Sequence, residues 1–400
     1  MPKVNHHQFT MRALTLLVTA LATGVATAAP QLTNDGSCDC YKTNATASNY
    51  FARHKFFDFR SLQQFIKTPS LEKLDTVAKN ANAPPTSSYF TSTQWSDYWT
   101  IQTWDRAPPD PNSADANISD ATVHIVNSPN NIFIERDEDD ASQNGSPFNP
   151  WWWNPWNQPG QPQQTKTHLT MRTTRHREGF QSASEIESKS KGYQFMSVRM
   201  HARTRGSPGA VTAMFTYRPP PEESQPEKVQ EADLEILTKD PADKVQYTNQ
   251  PGEHLGGAAG ATRNASMPQG RKWSDWATYR MDWTPTSTTW FVNGIESGRI
   301  SVQVPRDGAQ LLFNVWSNGG SWSGVMGKGH KAEMQIRWID MVFNSTDVVE
   351  QGVYSQPKEG GCRRMCSIDE TTQIGRPVVI SHGGGGGGDD GEFKVLVLTD

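Results

Sequence analysis

Residues 231–237 read Glu-Ala-Asp-Leu-Glu-Ile-Leu, three acids separated by single apolar residues. Side chains of a β-strand alternate between faces, so a strand here sends Ala232, Leu234 and Ile236 to one side and Glu231, Asp233 and Glu235 to the other. Neighbours in the acidic row then stand about 6.7 Å apart at the backbone. Acids are poor strand formers and like charges on one face repel, so stability alone gives no reason for such a row. Cleavage of an acetal does: one carboxyl protonates the departing oxygen while a second, about 5–5.5 Å away, attacks the anomeric carbon. Two glutamates four residues apart on a strand can lean together across that gap. The middle acid adds charge that keeps a proton on its neighbour and can orient the attacking group through a hydrogen bond. The plain alternative is an edge strand whose acids simply face water.

The sequence around this segment has the means to hold it. Met196, Val198 and Met200 alternate with Ser197, Arg199 and His201, and the same period of two runs through Tyr279–Trp283 and Met334–Trp338. Such alternation marks strands with one buried face. Asn293-Gly294, after Thr289 to Val292, is a hairpin turn signal. Strands without helices between them predict an all-β fold of two packed antiparallel sheets. Residues 105–165, with Pro108-Pro109, an acidic run from Glu135 to Asp140 and the Trp151-Trp152-Trp153-Asn154-Pro155-Trp156 tract, read as one long loop inserted into that domain. The tract is expected to plug a gap against the domain rather than to present a platform for sugar. Six glycines at 383–388 and an acidic end read as a disordered tail, so the domain is expected to span 29–366 and the tail 367–400. No internal repeat is visible.

Composition narrows the partners. A formal charge of −4 over 400 residues, with no basic stripe, argues against nucleic acid. Lys3 and Arg12, the apolar run Ala13–Val25 and Ala26-Thr27-Ala28 form a signal-peptide pattern over 1–28, and no later stretch is apolar enough to cross a bilayer. A secreted monomer, extracellular or in a cell wall and free of the membrane after cleavage, is the expectation. The only cysteines are Cys38, Cys40, Cys362 and Cys366. Four cysteines permit three pairings, and a Cys38–Cys40 bridge is awkward on a strand, so both bridges are expected to tie the N-terminal segment to the C-terminal one. No histidine lies near either cysteine pair, and His254 and His330 lack ligand spacing, so neither a metal nor a cofactor is expected. Sequons stand at Asn44, Asn117, Asn144, Asn264 and Asn344.

Trp316 and Trp322 flank a glycine-rich turn, and indole faces suit the C–H faces of sugars. Trp322 is assigned to a cleft, whereas Trp316 follows the apolar run Leu311–Val315 and either face is open to it. Asn318 and Asn249 are candidates for hydrogen bonds to sugar hydroxyls, or else turn residues.

Several stretches now line up in order: Gly192-Tyr193-Gln194-Phe195 with Val198-Arg199-Met200, Pro208-Gly209-Ala210-Val211, Ala213 to Tyr217, the Glu231-Ala232-Asp233-Leu234-Glu235 row, Tyr247 to Gly252, Tyr279 to Pro285, and Trp316-Ser317-Asn318-Gly319-Gly320-Ser321-Trp322-Ser323-Gly324. Together they resemble glycoside hydrolase family 16, over residues 167–345 and more loosely over 38–105. The Cys38-Asp39-Cys40 start and the Phe56–Phe59 cluster are similar to its secreted fungal branch. The resemblance implies a concanavalin A-like jelly-roll β-sandwich with a β-glucan in its cleft, and it makes Glu231 the nucleophile, Asp233 the helper and Glu235 the general acid/base. Ala232 departs from the larger aliphatic residue usual in relatives, on the core face. With one residue between Asp233 and Glu235, the row resembles the unbulged lichenase and transglycosylase branch. The activity implied is a retaining endo-β-glucanase on β-1,3 or β-1,3/1,4 linkages. A cell-wall transglycosylase using the same residues, and a glucan-binding protein without turnover, are the alternatives.

Overall fold

A computed structural model describes residues 31–44, 50–70, 74–110, 112–113, 119–139, 166–222, 224–252, 256–347 and 362–382. The period-two stretches form strands, and their apolar positions meet between two sheets. In the first sheet the order is Thr262–Ser266, Lys244–Gln250, Gln230–Leu237, Val211–Arg218, Gln310–Trp316, Gln181–Ser188 and Trp99–Ile101, each pair antiparallel. The second is built on two long strands, Tyr193–Gly206 and Lys331–Ser345, joined by Ala277–Trp283, Thr288–Val292, Ile295–Ile300, Arg53–Asp58, Thr167–Arg175 and Ile132–Arg136. Met196, Val198 and Met200 from one sheet, and Ala232, Leu234, Leu311, Phe313 and Val315 from the other, are at most 2% exposed in one continuous core. The chain is an all-β jelly-roll sandwich, the predicted class. Asn293 and Gly294 both adopt positive φ, 50° and 79°, and turn Thr288–Val292 into Ile295–Ile300 as a hairpin.

Two stretches differ from the expected domain plan. Residues 105–165 are not one loop: Asp105–Arg106, Ile125–Asn127 and Ile132–Arg136 are strands, and the last pairs with Thr167–Arg175. Ile132, Phe133 and Ile134 are all fully buried, and a strand covered on both faces has no alternation to betray it. The pairing of Ile125–Asn127 with the start of Gln181–Ser188 is also parallel rather than antiparallel. The Trp151–Trp156 tract, the 1–28 segment and the sequons at Asn117 and Asn144 lie outside the described residues.

The ordered chain also runs past Cys366. Arg364–Ser367 and Val378–His382 join Gln31–Leu32, Cys40–Lys42 and Tyr50–Phe51 in a small third sheet. Disulfides Cys38–Cys366 and Cys40–Cys362, with Cα separations of 5.8 and 5.4 Å, cross-link its N- and C-terminal segments as expected. This sheet is tied to the outer face of the second sheet. Arg199 donates to Asp369 at 2.5 Å, Arg280 reaches both Asp369 and Asn44, and His54 bridges Asp35 and Asp340. The Asn44 and Asn344 side chains are thereby engaged, Asn344 by the backbone of Ala52, whereas Asn264 is exposed on the Thr262–Ser266 strand.

Candidate active site

Gln230–Leu237 pairs residue for residue with both neighbours and carries no bulge. Glu231 faces Tyr217 and Gln250, Asp233 faces Phe215 and Thr248, and Glu235 faces Ala213 and Gln246. Ala232, Leu234 and Ile236 are buried in the core, so all three acids stand on the side turned away from it. Asp233 is only 2% exposed, while its two companions are half-buried. Ala213, Phe215 and Leu312 form a separate apolar cluster on that side, with Tyr217 packed against it. The carboxyls therefore rise from an apolar floor, and their partial burial follows from it.

That floor sets their protonation. Burial raises Glu231, Asp233 and Glu235 above the ordinary carboxylate range, because charge is poorly solvated there. Repulsion then separates them. Glu231 and Asp233 share a hydrogen bond that pulls Glu231 back down and pushes Asp233 further up, so the shared proton stays on Asp233. Glu235 is raised by burial, and further whenever Asp233 is ionised. Glu231, at one end of the row, is raised by burial to about 8 but eased toward ionisation by Asp233, whereas Asp233 and Glu235 gain no such relief from within the row, a difference in the sense that nucleophile and acid roles require.

Two residues missed in the sequence complete this row. Gln250 donates from Nε2 to Asp233 Oδ2 at 3.2 Å. Glu185 lies across the sheet in line with Asn314, Ala213 and Glu235, receives hydrogen bonds from Trp104 and Asn314, is raised by burial, and adds to the field on Glu231. Glu185, Trp104, Arg106, Asn314, Trp316 and Asn318 line a cavity of about 250 Å³ beside the row.

The other expected ligands divide. Trp316 pairs with Val211, and its strand sends Leu311, Phe313 and Val315 to the core, so Trp316 lies on the acid side. Its ring stacks on Trp322 with centroids 5.8 Å apart and 23° between planes, and Trp322 is 37% exposed. Asn318 lines the cavity, but its side chain is occupied in the turn, donating to Asp120 and accepting from Gly320 and Ser323. Asp120 pins that turn further by accepting from Ser321 N, Ser321 Oγ and Trp322 N. Asn249 is a correction: it pairs with Ala232, faces the core, is fully buried and donates to the Val302 carbonyl. A shift of one residue along a strand reverses the face, and the side chain that reaches the acids is Gln250.

With this geometry stands a sequence match: residues 149–340 fit the family model described as Glycosyl hydrolases family 16. This stretch of the chain belongs to glycosyl hydrolase family 16. Among related proteins, a beta-glucanase of Bacillus amyloliquefaciens is 31% identical over 138 residues, 33% of this chain and 52% of that protein. Those of Bacillus licheniformis and Paenibacillus polymyxa are each 27% identical, covering 37% and 38% of this chain and 57% and 60% of theirs. The chain thus spans little more than half the length of the curated relatives it matches. Among solved structures, a Bacillus licheniformis beta-glucanase aligns at 18% identity with a TM-score of 0.40, covering 61% of this chain and 92% of that one. A beta-1,3-1,4-glucanase (lichenase) derived from a mouse hindgut metagenome aligns at 17% and 0.42, covering 73% and 99%.

Proposed function

We propose that this chain is a secreted, retaining endo-β-glucanase acting on β-1,3 or mixed β-1,3/1,4 linkages, with Glu231 as nucleophile and Glu235 as general acid/base. The observation that carries this is the unbulged row of three carboxyls on an apolar floor with its protons unequally shared. Glu235, held protonated, gives its proton to the glycosidic oxygen as the C–O bond breaks. The Glu231 carboxylate attacks the anomeric carbon from the opposite side, and Asp233 supports it through their shared hydrogen bond. An ester between Glu231 and the sugar results, and the aglycone chain departs. Glu235, now ionised, takes a proton from water, whose oxygen displaces Glu231 from the anomeric carbon and restores the original configuration. The substrate class is supported by the beta-glucanase names of the relatives. Secretion is supported by the signal-like start and the two disulfides.

Purified protein assayed on lichenan and laminarin tests this. Glu231→Gln and Glu235→Gln are each expected to lose hydrolysis while still binding glucan. Azide should revive Glu231→Ala and yield a glycosyl azide of inverted configuration. Undiminished hydrolysis in either Gln variant removes the assignment. A labelled oligosaccharide acceptor in the same assay separates transfer to sugar from transfer to water.

A further inference from the structure

A hydrogen bond between two carboxyls has one proton and four oxygens, and its value to Glu231 depends on which oxygen holds that proton. Gln250 sits opposite Glu231 in the pairing and reaches diagonally to Asp233, placing an N–H on Oδ2 at 3.2 Å. The amide cannot simply turn over, because its Oε1 accepts from Gly252 N at 2.6 Å and an NH₂ group there would oppose another N–H. Oδ2 of Asp233 is therefore an acceptor, and a proton on it would point at the Gln250 donor. Oδ1 is buried and receives no donor. A buried oxygen without a donor beside another carboxyl is satisfied when it bears the proton itself.

We propose that Gln250 is a positioning residue that confines the Asp233 proton to Oδ1, so that it is donated to Glu231 and keeps the nucleophile ionised. This rests on the Glu231 assignment above. The direction of the electrostatics agrees: the Gln250 bond draws Asp233 down against its burial, which makes its proton a stronger hydrogen-bond donor.

The test is the pH dependence of kcat/KM on the preferred glucan, whose acid limb follows ionisation of Glu231 in the free enzyme. Gln250→Met removes donor and acceptor at nearly constant volume. Gln250→Asn stays uncharged and is one methylene shorter, so it withdraws the donor from Asp233 while leaving an amide beside the turn should the first variant misfold. In both, the acid limb should move up by about one pH unit, which is about a ten-fold loss below the limb, while the limb on the basic side, governed by Glu235, holds still. Acid limbs coincident with wild type in folded variants overturn the role of Gln250. Wild-type protein inactive on every glucan, or a fully active Glu231→Gln, overturns the catalytic assignment instead.

Discussion

His54 offers a direct measure of how the third sheet is held to the sandwich. Its ring is fully buried, with Nδ1 2.6 Å from Asp35 and Nε2 2.7 Å from Asp340. Two carboxylate partners need two N–H donors, so the ring is an imidazolium. Burial opposes that charge, but the bonds to Asp340 and Asp35 outweigh it and raise the pKa from 6.5 to about 9. The folded chain thus keeps a proton that the unfolded chain gives up near 6.5. The stabilisation is complete below pH 6.5 and is lost as pH climbs to about 9. A shift of about 2.5 units is worth at most about 3.4 kcal/mol, and nearer 2 because the Asp35 carboxylate is 56% exposed and screened. His54→Gln is neutral throughout. Urea unfolding at pH 6 should find the variant about 2 kcal/mol less stable than wild type, with the gap closing toward zero by pH 9.5. A gap that stays constant between those pH values would refute the imidazolium bridge.

The acid row should behave in the opposite sense. Glu235 is raised in the fold, so its ionisation above the ordinary carboxylate range favours the unfolded chain, and Glu235→Gln should have a higher Tm than wild type at pH 7 but not at pH 4. Differential scanning calorimetry at the two pH values checks this. Asp120 accepts hydrogen bonds from Asn318, Ser321 and Trp322, so Asp120→Ala should free the turn that carries Trp322. Steady-state kinetics should then give a glucan KM higher by about five-fold at nearly constant kcat, in keeping with one net hydrogen bond.

What was legible in the sequence was what repeats locally. The acid row declared itself because period two puts 231, 233 and 235 on one side and apolar residues on the other, and the structure keeps that register without a bulge. The cysteine bridges followed from number and placement. Asn249 is a turn former by residue type, but the strand Lys244–Gln250 continues through it, and parity puts it on the core face beside Ala232. Glu185 left no signal, since its strand passes from one sheet to the other and buries Ser182 and Ser184 as fully as Ala183 and Ile186, blurring any alternation. The His54 bridge to Asp340 joins residues 286 apart, beyond the reach of any local pattern. Val378–His382 lies beyond the last cysteine and just before the glycine run, and its place between Arg364–Ser367 and Gln31–Leu32 depends on a pairing across the whole chain that no local pattern carries.

The two sides of the sandwich use the same acids under opposite rules. On the outer face of the second sheet each buried carboxylate has its cation: Asp282 with Arg280, Asp369 with Arg199 and Arg280, Asp340 with His54, Asp137 with Arg337. Glu231, Asp233 and Glu235 have no cation among the groups that set their protonation, only one another, Glu185 and Gln250. A fold able to place a cation beside each of these structural acids had the means to neutralise the row as well. Leaving it unneutralised lowers stability and confers just one property, carboxyls that hold protons near neutral pH and release them in sequence. An arginine introduced on that face, as in Thr248→Arg opposite Asp233, should therefore raise stability at pH 7 and extinguish glucan hydrolysis together. A variant that gained stability and kept its activity would mean that the unpaired charges serve no chemistry.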